Sequence, residues 1–218
     1  MTQAIRITQQ GHVATVILSR PDVRNAFNDE VIAELSQAFV QLGEASEVRA
    51  IVLMAEGPAF CAGADLNWMR RMADYSREEN EQDAEKLAFM LRTIYECPKP
   101  TIARVQGDVY AGGMGLVACC DMAVSVDTAN YCLSEVRLTY GQLHERTNRL
   151  VRAMGPRASH RYFLTAERFS AAEARRIGFV HEVVPADQLD ATVSTWVQAL
   201  LAASPNAIKE CKKLVQYV

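Results

Sequence analysis

Two stretches rich in glycine and alanine constrain this sequence most, because each follows an apolar strand and leads into a helix. They are residues 59–66 (AFCAGADL) and 111–116 (AGGMGL). Small residues at a helix start let a ligand or another chain approach the backbone, and the first N–H groups of a helix have no acceptor within it. Two such starts can direct a pair of N–H groups at one oxygen atom, as an oxyanion hole does.

Several common glycine-rich or serine motifs are absent from the sequence. The Gly-Gly-Met-Gly run at 112–115 does not match Gly-x-Gly-x-x-Gly, and no acidic residue follows at the spacing of a dinucleotide site. Neither a phosphate-binding loop ending in Gly-Lys-Ser/Thr nor a Gly-x-Ser-x-Gly nucleophile elbow occurs. The two stretches therefore have two possible roles: they supply N–H donors for a ligand, or they simply allow a helix to pack closely on a strand. The residues themselves do not decide between these roles.

Strands and helices alternate along most of the chain. Residues 5–8 and 12–18 predict a hairpin, and the apolar run 51–54 is typical of a strand covered on both faces. Helical spacing of apolar residues predicts helices at 29–44 and 81–95. Further predicted elements are strands at 101–105 and 122–124, a glycine-rich turn at 107–115 that opens a helix through 120, and helices at 146–154, 157–166, 171–177, 186–203 and 205–216. This order predicts a one-domain α/β fold of ββα or βαβ units with a helical C-terminal part.

Composition excludes several classes of protein. The 23 basic and 26 acidic residues give a net charge of −3, whereas nucleic-acid binding requires a basic surface. No apolar run approaches the ~20 residues of a membrane-spanning helix, and the N-terminus lacks the features of a secretory signal. The six cysteines include no Cys-x-x-Cys pair and the four histidines are scattered, so we expect no metal site. Because the chain lacks a secretory signal, we expect its cysteines to be free thiols and the protein to reside in the reducing cytoplasm.

Four motifs, in order, resemble the crotonase superfamily of enoyl-CoA hydratases and isomerases. They are residues 19–28 (SRPDVRNAFN), 59–66 (AFCAGADL), 107–121 (GDVYAGGMGLVACCD) and 163–169 (FLTAERF). The resemblance covers residues 10 to 205, nearly the whole chain. It implies an α/β crotonase-like spiral of ββα units, with a core domain at 1–200 and the start of a C-terminal helical trimerisation region at 201–218. It also implies a homotrimer or a dimer of trimers.

The resemblance implies that the substrate is an acyl-CoA thioester. Ala64 and Gly112 match the positions whose backbone N–H groups hold the thioester carbonyl oxygen. Loss or gain of a proton at C2 leaves an enolate with its charge on that oxygen, and two preorganised donors stabilise this charge. CoA is then part of the substrate, and we expect no cofactor or metal. The resemblance further assigns substrate-binding positions to Arg24, Ala26, Ala62, Asp65, Leu66 and Asn67.

Glu135 is the one acid/base residue that matches the family well. The apolar residues around it, in 131–138, favour partial burial and a raised pKa. Hydratases of the family often carry a second glutamate three residues after the second oxyanion glycine, where this chain has Gly115. A single glutamate can hydrate an enoyl-CoA if it takes a proton from water and returns that proton to C2. It suits a Δ3,Δ2-enoyl-CoA isomerase at least equally well, because moving a double bond needs one base.

A finer likeness favours hydration. Residues 119–123 (CCDMA) and 133–138 (LSEVRL) resemble bacterial proteins assigned as methylglutaconyl-CoA hydratases of leucine degradation. Two departures from the family favour a catalytically silent acyl-CoA-binding protein instead. The polar segment 139–149 replaces a turn that contains glycine and proline, and the chain stops at Val218, where relatives continue. We therefore expect a cytoplasmic enoyl-CoA hydratase, with an isomerase and a silent binder as alternatives.

Overall fold

The fold consists of strands and helices in close alternation, in a computed structural model that describes residues 4–134, 136 and 144–217. The strands are β1 (Ile5–Gln10), β2 (Val13–Leu18), β3 (Ala50–Ala55), β4 (Ala59–Cys61), β5 (Thr101–Val105), β6 (Asp108–Tyr110), β7 (Met122–Val126), β8 (Asn130–Cys132), β9 (Phe169–Ser170) and β10 (Glu182–Val184). The helices are α1 (Asp29–Glu44), α2 (Leu66–Met72), α3 (Arg77–Tyr95), α4 (Gly112–Cys119), α5 (His144–Thr165), α6 (Ala171–Arg176), α7 (Leu189–Ala202) and α8 (Pro205–Tyr217). Single 3₁₀ turns occur at Pro21–Val23 and Ala186–Gln188.

Two sheets form the framework. The larger has six strands in the order β1-β2-β3-β5-β7-β10, and the smaller has four in the order β4-β6-β8-β9. The hairpin β1–β2 is antiparallel, and β2, β3, β5, β7 and β10 run parallel to one another. In the smaller sheet β4, β6 and β8 are parallel, and β9 joins them antiparallel. Parallel strands need covered faces, which explains why β3 is almost wholly buried.

One unit repeats along the chain and confirms the predicted spiral of ββα units. In the pairs β3–β4, β5–β6 and β7–β8, the first strand enters the large sheet and the second enters the small one. A helix follows each pair, so the chain winds through both sheets in successive turns. The ends of β4, β6 and β8 therefore lie side by side, and the turns that follow β4 and β6 meet at one edge of the small sheet.

The helix predicted at 29–44 is confirmed as α1, and side-chain caps account for where the helices begin. Asn28 Oδ1 accepts a hydrogen bond from Val31 N at 3.1 Å, which satisfies an amide that has no acceptor inside α1. A reciprocal pair starts α3, in which Glu79 N donates to Ser76 Oγ and Ser76 N donates to the Glu79 carboxylate. This capping box places the start of α3 four residues before the predicted 81.

The smaller sheet is the main element that the sequence patterns did not predict. Its strands have only two or three residues each, too few for an alternating apolar pattern to register. The segment 107–115, predicted as one continuous turn, contains the strand β6 before α4 begins at Gly112. The helices predicted at 146–154 and 157–166 are confirmed as the two parts of α5, which breaks at Gly155 with φ 76°. None of the helices in the described ranges has the length and apolar character to cross a bilayer.

Candidate active site

The first glycine-rich turn follows β4 and is clamped by Phe27. Phe27 N donates to Gly63 O at 2.8 Å, and Asp65 N donates to Phe27 O at 2.9 Å. These two bonds form a parallel bridge between Phe27 and Ala64. In such a bridge the bonds go to the residues on either side of the partner. The N–H and C=O of Ala64 itself therefore point away from Phe27.

The second glycine-rich turn follows β6 and opens α4. Ala111 N donates to Cys132 O at 2.8 Å, which ties this turn to the end of β8. Ala111 has φ 46° and ψ −123°, a conformation that a residue with a Cβ rarely adopts. Gly112 is the first residue of α4. Its N–H has no acceptor inside the helix and lies at the positive end of the helix dipole.

The two turns touch each other, and glycines allow this approach. A Cβ placed on Gly63 would lie 2.8 Å from Ala111 Cβ and 3.1 Å from Gly112 N, and Gly63 has φ 91°. A Cβ placed on Gly113 would lie 2.5 Å from Cys61 O. The structure therefore brings together the turn that carries Ala64 and the start of α4, as an oxyanion hole made by these two segments requires. Chemically, such an arrangement can present two backbone donors to one negatively charged oxygen.

Asp65 is directed into the framework of this turn. Its Oδ1 accepts hydrogen bonds from Asn67 N at 2.8 Å and Trp68 N at 3.4 Å, which caps α2. Its Oδ2 accepts a 2.9 Å bond from Arg20, and the carboxylate side chain is only 8% exposed. Burial alone would raise the pKa of Asp65, but the bonds from Asn67 N, Arg20 and Trp68 N hold it below its ordinary value. The carboxylate thus stays ionised and fixes the start of α2.

Asn25 stabilises the site through hydrogen bonds that no pattern in the sequence indicates. The side chain is buried, and its Nδ2 donates to Glu56 O at 2.8 Å and to Ala59 O at 2.9 Å. Its Oδ1 accepts from Arg20 N at 2.9 Å. Its left-handed φ of 53° is one that asparagine tolerates better than most residues. An asparagine shortly after a proline turn was the available signal, but its distant partners are visible only in the fold.

The other residues assigned to substrate binding lie around the first turn. Ala62 N donates to Arg24 O at 3.0 Å, so these residues belong to adjacent segments. Arg24 is exposed, whereas Ala26 is buried. Leu66 and Asn67 are exposed on the first turn of α2, where Leu66 keeps 64% of its surface accessible. All five therefore lie beside the turn that carries Ala64, and three of them, Arg24, Leu66 and Asn67, are open to a ligand.

Glu135 lies outside the described residues. The strand that precedes it, β8, ends at Cys132, whose carbonyl accepts the bond from Ala111 N. Leu133 is fully buried. Gly115 lies in α4, three residues after Gly112, and is also buried. The described chain therefore leads towards Glu135 from a strand that is bonded to the second turn.

Comparisons with known proteins agree with this geometry. The family model described as "Enoyl-CoA hydratase/isomerase" matches residues 8–217. An enoyl-CoA hydratase from Alternaria alternata is 31% identical over 216 residues, which are 96% of this chain and 68% of that protein. The crystal structure of an enoyl-CoA hydratase from Shewanella pealeana is 38% identical with a TM-score of 0.94, covering 98% of this chain and 80% of that one. That of an enoyl-CoA hydratase from Mycobacterium smegmatis is 34% identical with a TM-score of 0.92, covering 98% and 82%. This chain is therefore an enzyme of the enoyl-CoA hydratase/isomerase family.

Proposed function

We propose that this enzyme adds water across the C2–C3 double bond of an enoyl-CoA thioester. The observation that carries the proposal is the contact between the two glycine-rich turns, in which the Gly63 position lies against Gly112 N. The thioester oxygen sits between the N–H groups of Ala64 and Gly112. Attack of water at C3 moves negative charge onto this oxygen, and the two fixed donors stabilise it in the transition state.

The proposed acid/base is Glu135. It takes a proton from the attacking water and returns that proton to C2, so that one carboxylate serves both steps. Supporting this, the strand before Glu135 is bonded through Cys132 O to Ala111, the residue before Gly112. Gly115 brings no side chain to the position where many hydratases of the family carry their second glutamate.

The proposed substrate class is an enoyl-CoA with a distal carboxylate, such as methylglutaconyl-CoA in leucine degradation. The support is the likeness of residues 119–123 and 133–138 to hydratases of that substrate. The relatives described above carry the name enoyl-CoA hydratase, which favours hydration over other reactions of the family. A cytoplasmic location and a homotrimer or dimer of trimers remain part of this proposal.

The oxyanion role of Gly112 has a direct test. Proline is tolerated at the first position of a helix and has no N–H, so Gly112→Pro removes one donor while α4 can still form. Gly112→Ala keeps the donor and is the matched control. We expect Gly112→Pro to lower kcat about 100- to 1000-fold relative to Gly112→Ala. Equal kcat values in two variants with native circular dichroism would overturn the role of this amide.

The reaction itself is tested with separate substrates. Incubation with crotonyl-CoA and with methylglutaconyl-CoA should cause loss of the conjugated-enoyl absorbance, and Glu135→Gln should abolish that loss. Turnover by Glu135→Gln at the parent rate would remove Glu135 from the mechanism. If the parent enzyme binds crotonyl-CoA and methylglutaconyl-CoA but hydrates neither of them, the result would favour a catalytically silent acyl-CoA-binding protein.

The isomerase is the second candidate, and Gly115 is the observation that favours it. With one matched carboxylate, a proton can be taken from C2 of a 3-enoyl-CoA and delivered to C4, with the same two amides holding the enolate. Incubation with a 3-enoyl-CoA distinguishes the two reactions. Appearance of the conjugated isomer without hydration of 2-enoyl-CoA would establish the isomerase and reject the hydratase.

Arg24 is proposed to contact the CoA moiety. It is exposed beside the first turn, and a guanidinium is a good partner for phosphate groups. Arg24→Ala should raise KM for every acyl-CoA and leave kcat nearly unchanged, because such a contact is equally strong in the ground state and the transition state. An unchanged KM would remove Arg24 from the binding site.

A further inference from the structure

Trp68 contains a buried hydrogen-bond donor, the N–H group of its indole ring. The residue is only 3% exposed, yet its indole Nε1 has no hydrogen-bond partner in the part of the chain that the structure describes. A buried polar group without a partner costs free energy, so native proteins rarely keep one. Such an atom needs an explanation, and a bound ligand is one that also accounts for its place in the fold.

Trp68 lies next to the proposed oxyanion site. It is the third residue of α2, and its backbone N–H donates to Asp65 Oδ1. Its ring packs against Phe27, with centroids 6.4 Å apart, and Phe27 is the residue whose backbone clamps Gly63 and Asp65 on either side of Ala64. Side chains on a helix lean towards its N-terminus. The indole therefore packs on the residue that holds the turn carrying Ala64.

The arginines on α2 have other partners. Arg70 Nη1 donates to Asn67 Oδ1 at 2.9 Å, and Arg71 Nη2 donates to Asp29 Oδ1 at 3.2 Å. Both residues are on the outer side of the helix, where their hydrogen bonds are exposed to solvent. Among the described side chains of α2, the unpaired buried donor is that of Trp68.

We infer that Trp68 Nε1–H donates a hydrogen bond to an oxygen atom on the acyl group of the substrate, beyond the reacting carbons. The inference rests on the proposed function: with the thioester oxygen on the Ala64 amide, an acyl chain that runs along α2 reaches Trp68, the third residue of that helix. A site with a buried donor rejects analogues that lack the acceptor, since the donor is then left unpaired. Trp68 thus selects a carboxylated or hydroxylated acyl chain over a hydrocarbon chain.

Fluorescence of Trp68 reports the bond directly. The chain has two tryptophans, and the other, Trp196, lies on α7 against His181. In a Trp196→Phe background, only Trp68 emits. Saturated thioesters are used, so that the result does not depend on turnover. We expect glutaryl-CoA, which has a distal carboxylate, to shift the emission to longer wavelength, and butyryl-CoA, which lacks it, to cause no such shift. The same emission with both ligands would overturn the inference.

Removal of the N–H provides a second measurement. Biosynthetic replacement of tryptophan by benzothienylalanine in the Trp196→Phe background keeps the shape of the ring but has sulfur in place of the N–H. Trp68→Phe is the simpler variant. We expect Kd for glutaryl-CoA to rise about 10- to 100-fold in both, while Kd for butyryl-CoA changes less than about threefold. If the N–H instead binds a resident water or the pantetheine, or has a purely structural role, its loss should change Kd for both ligands by the same factor or for neither. Either result rejects the inference.

Failure of the inference and failure of the proposed function remain distinguishable. If the parent enzyme hydrates neither crotonyl-CoA nor methylglutaconyl-CoA, the proposed function fails, whatever the binding data on saturated thioesters show. If the enzyme hydrates these substrates but loss of the N–H changes Kd equally for glutaryl-CoA and butyryl-CoA, only the proposed role of Trp68 fails.

Discussion

Arg20 Nη2 lies 2.9 Å from Asp65 Oδ2, and this ion pair joins the loop before α1 to the residue that caps α2. Arg20 Nη1 also donates to Ala26 O, so the same guanidinium holds the segment that pairs with the first glycine-rich turn. The Asp65 side chain is 8% exposed and that of Arg20 is 24% exposed. A largely buried charge pair therefore positions the backbone on both sides of Ala64.

Loss of this ion pair should affect stability and catalysis together. Arg20→Met leaves the Asp65 carboxylate buried without its cation, and we expect a loss of about 2–3 kcal/mol in the free energy of unfolding. Because Ala64 is then less precisely held, kcat/KM should fall at least about tenfold. Urea unfolding and steady-state kinetics measure the two effects.

Two variants make the Arg20 result specific. Asp65→Asn keeps a good N-cap but removes the charge, so it should be less damaging than Arg20→Met. Arg6→Met breaks the exposed pair with Glu56 and should change neither quantity appreciably. Equal stability of Arg20→Met and the parent would contradict the positioning role.

Five strands of the larger sheet (all but β10) and most helices were predictable from the sequence, because their signals are local. The run 51–54 is apolar throughout since β3 is covered on both faces, and Asn28 marks the start of α1 by a bond that reaches only to Val31. The smaller sheet was not predictable in this way. Its short strands form because β4, β6 and β8 are brought side by side by the larger sheet.

The candidate site likewise has features that the sequence predicts and contacts that only the fold reveals. The glycine-rich stretches predict two helix starts whose N–H groups can meet at one oxygen, and the resemblance to the crotonase superfamily assigns Ala64 and Gly112 to this role. The partners of Asn25 are 31 and 34 residues away along the chain, and that of Arg20 in the ion pair is 45 residues away. Such contacts exist only after the segments have been folded against each other. The unpaired Nε1 of Trp68 likewise emerges only from the surrounding packing.

The backbone strain at Ala111 leads to a prediction of increased stability. Its φ of 46° with ψ −123° is unfavourable for alanine and open to glycine. Ala111→Gly relieves this strain but makes the unfolded chain more flexible, so we expect a net gain of about 1 kcal/mol in the free energy of unfolding. Ala118→Gly, inside α4, is the control and should lose about 0.5–1 kcal/mol. Denaturant unfolding measures the change in the free energy of unfolding for both variants. Destabilisation by Ala111→Gly would refute the strain argument.

Lys212 anchors α8 to the core. Its side chain is 8% exposed, and Nζ donates to Asp121 Oδ2 at 2.7 Å and to Lys99 O at 3.1 Å. Asp121 Oδ2 also accepts hydrogen bonds from Thr101, the first residue of β5 in the larger sheet. We expect Lys212→Met to cost about 1–3 kcal/mol in the free energy of unfolding and to increase hydrogen exchange in α8 more than in β5.

The neighbouring lysine supplies a matched control for this anchor. Lys213 also forms an ion pair on α8, with Glu210, but both side chains are more than half exposed. Lys213→Met should therefore leave stability and exchange near the parent values. Similar effects of the two substitutions would mean that α8 is not held by the buried pair.

Glu173 should make part of the fold's stability depend on pH in the acid range. Hydrogen bonds from Arg176 and from the Tyr162 hydroxyl lower the pKa of Glu173 from its ordinary value of 4.5 to about 2. The unfolded chain therefore binds a proton more readily than the folded one between these values. The stabilisation is complete above pH 4.5 and is lost progressively as the pH falls through 2. In Glu173→Gln this contribution is absent, so the urea midpoint of the parent should fall more steeply than that of the variant between pH 5 and pH 2. Arg176→Gln removes the strongest partner and should flatten the profile in the same direction, whereas identical profiles for all three proteins would show that Glu173 titrates alike in the folded and unfolded states.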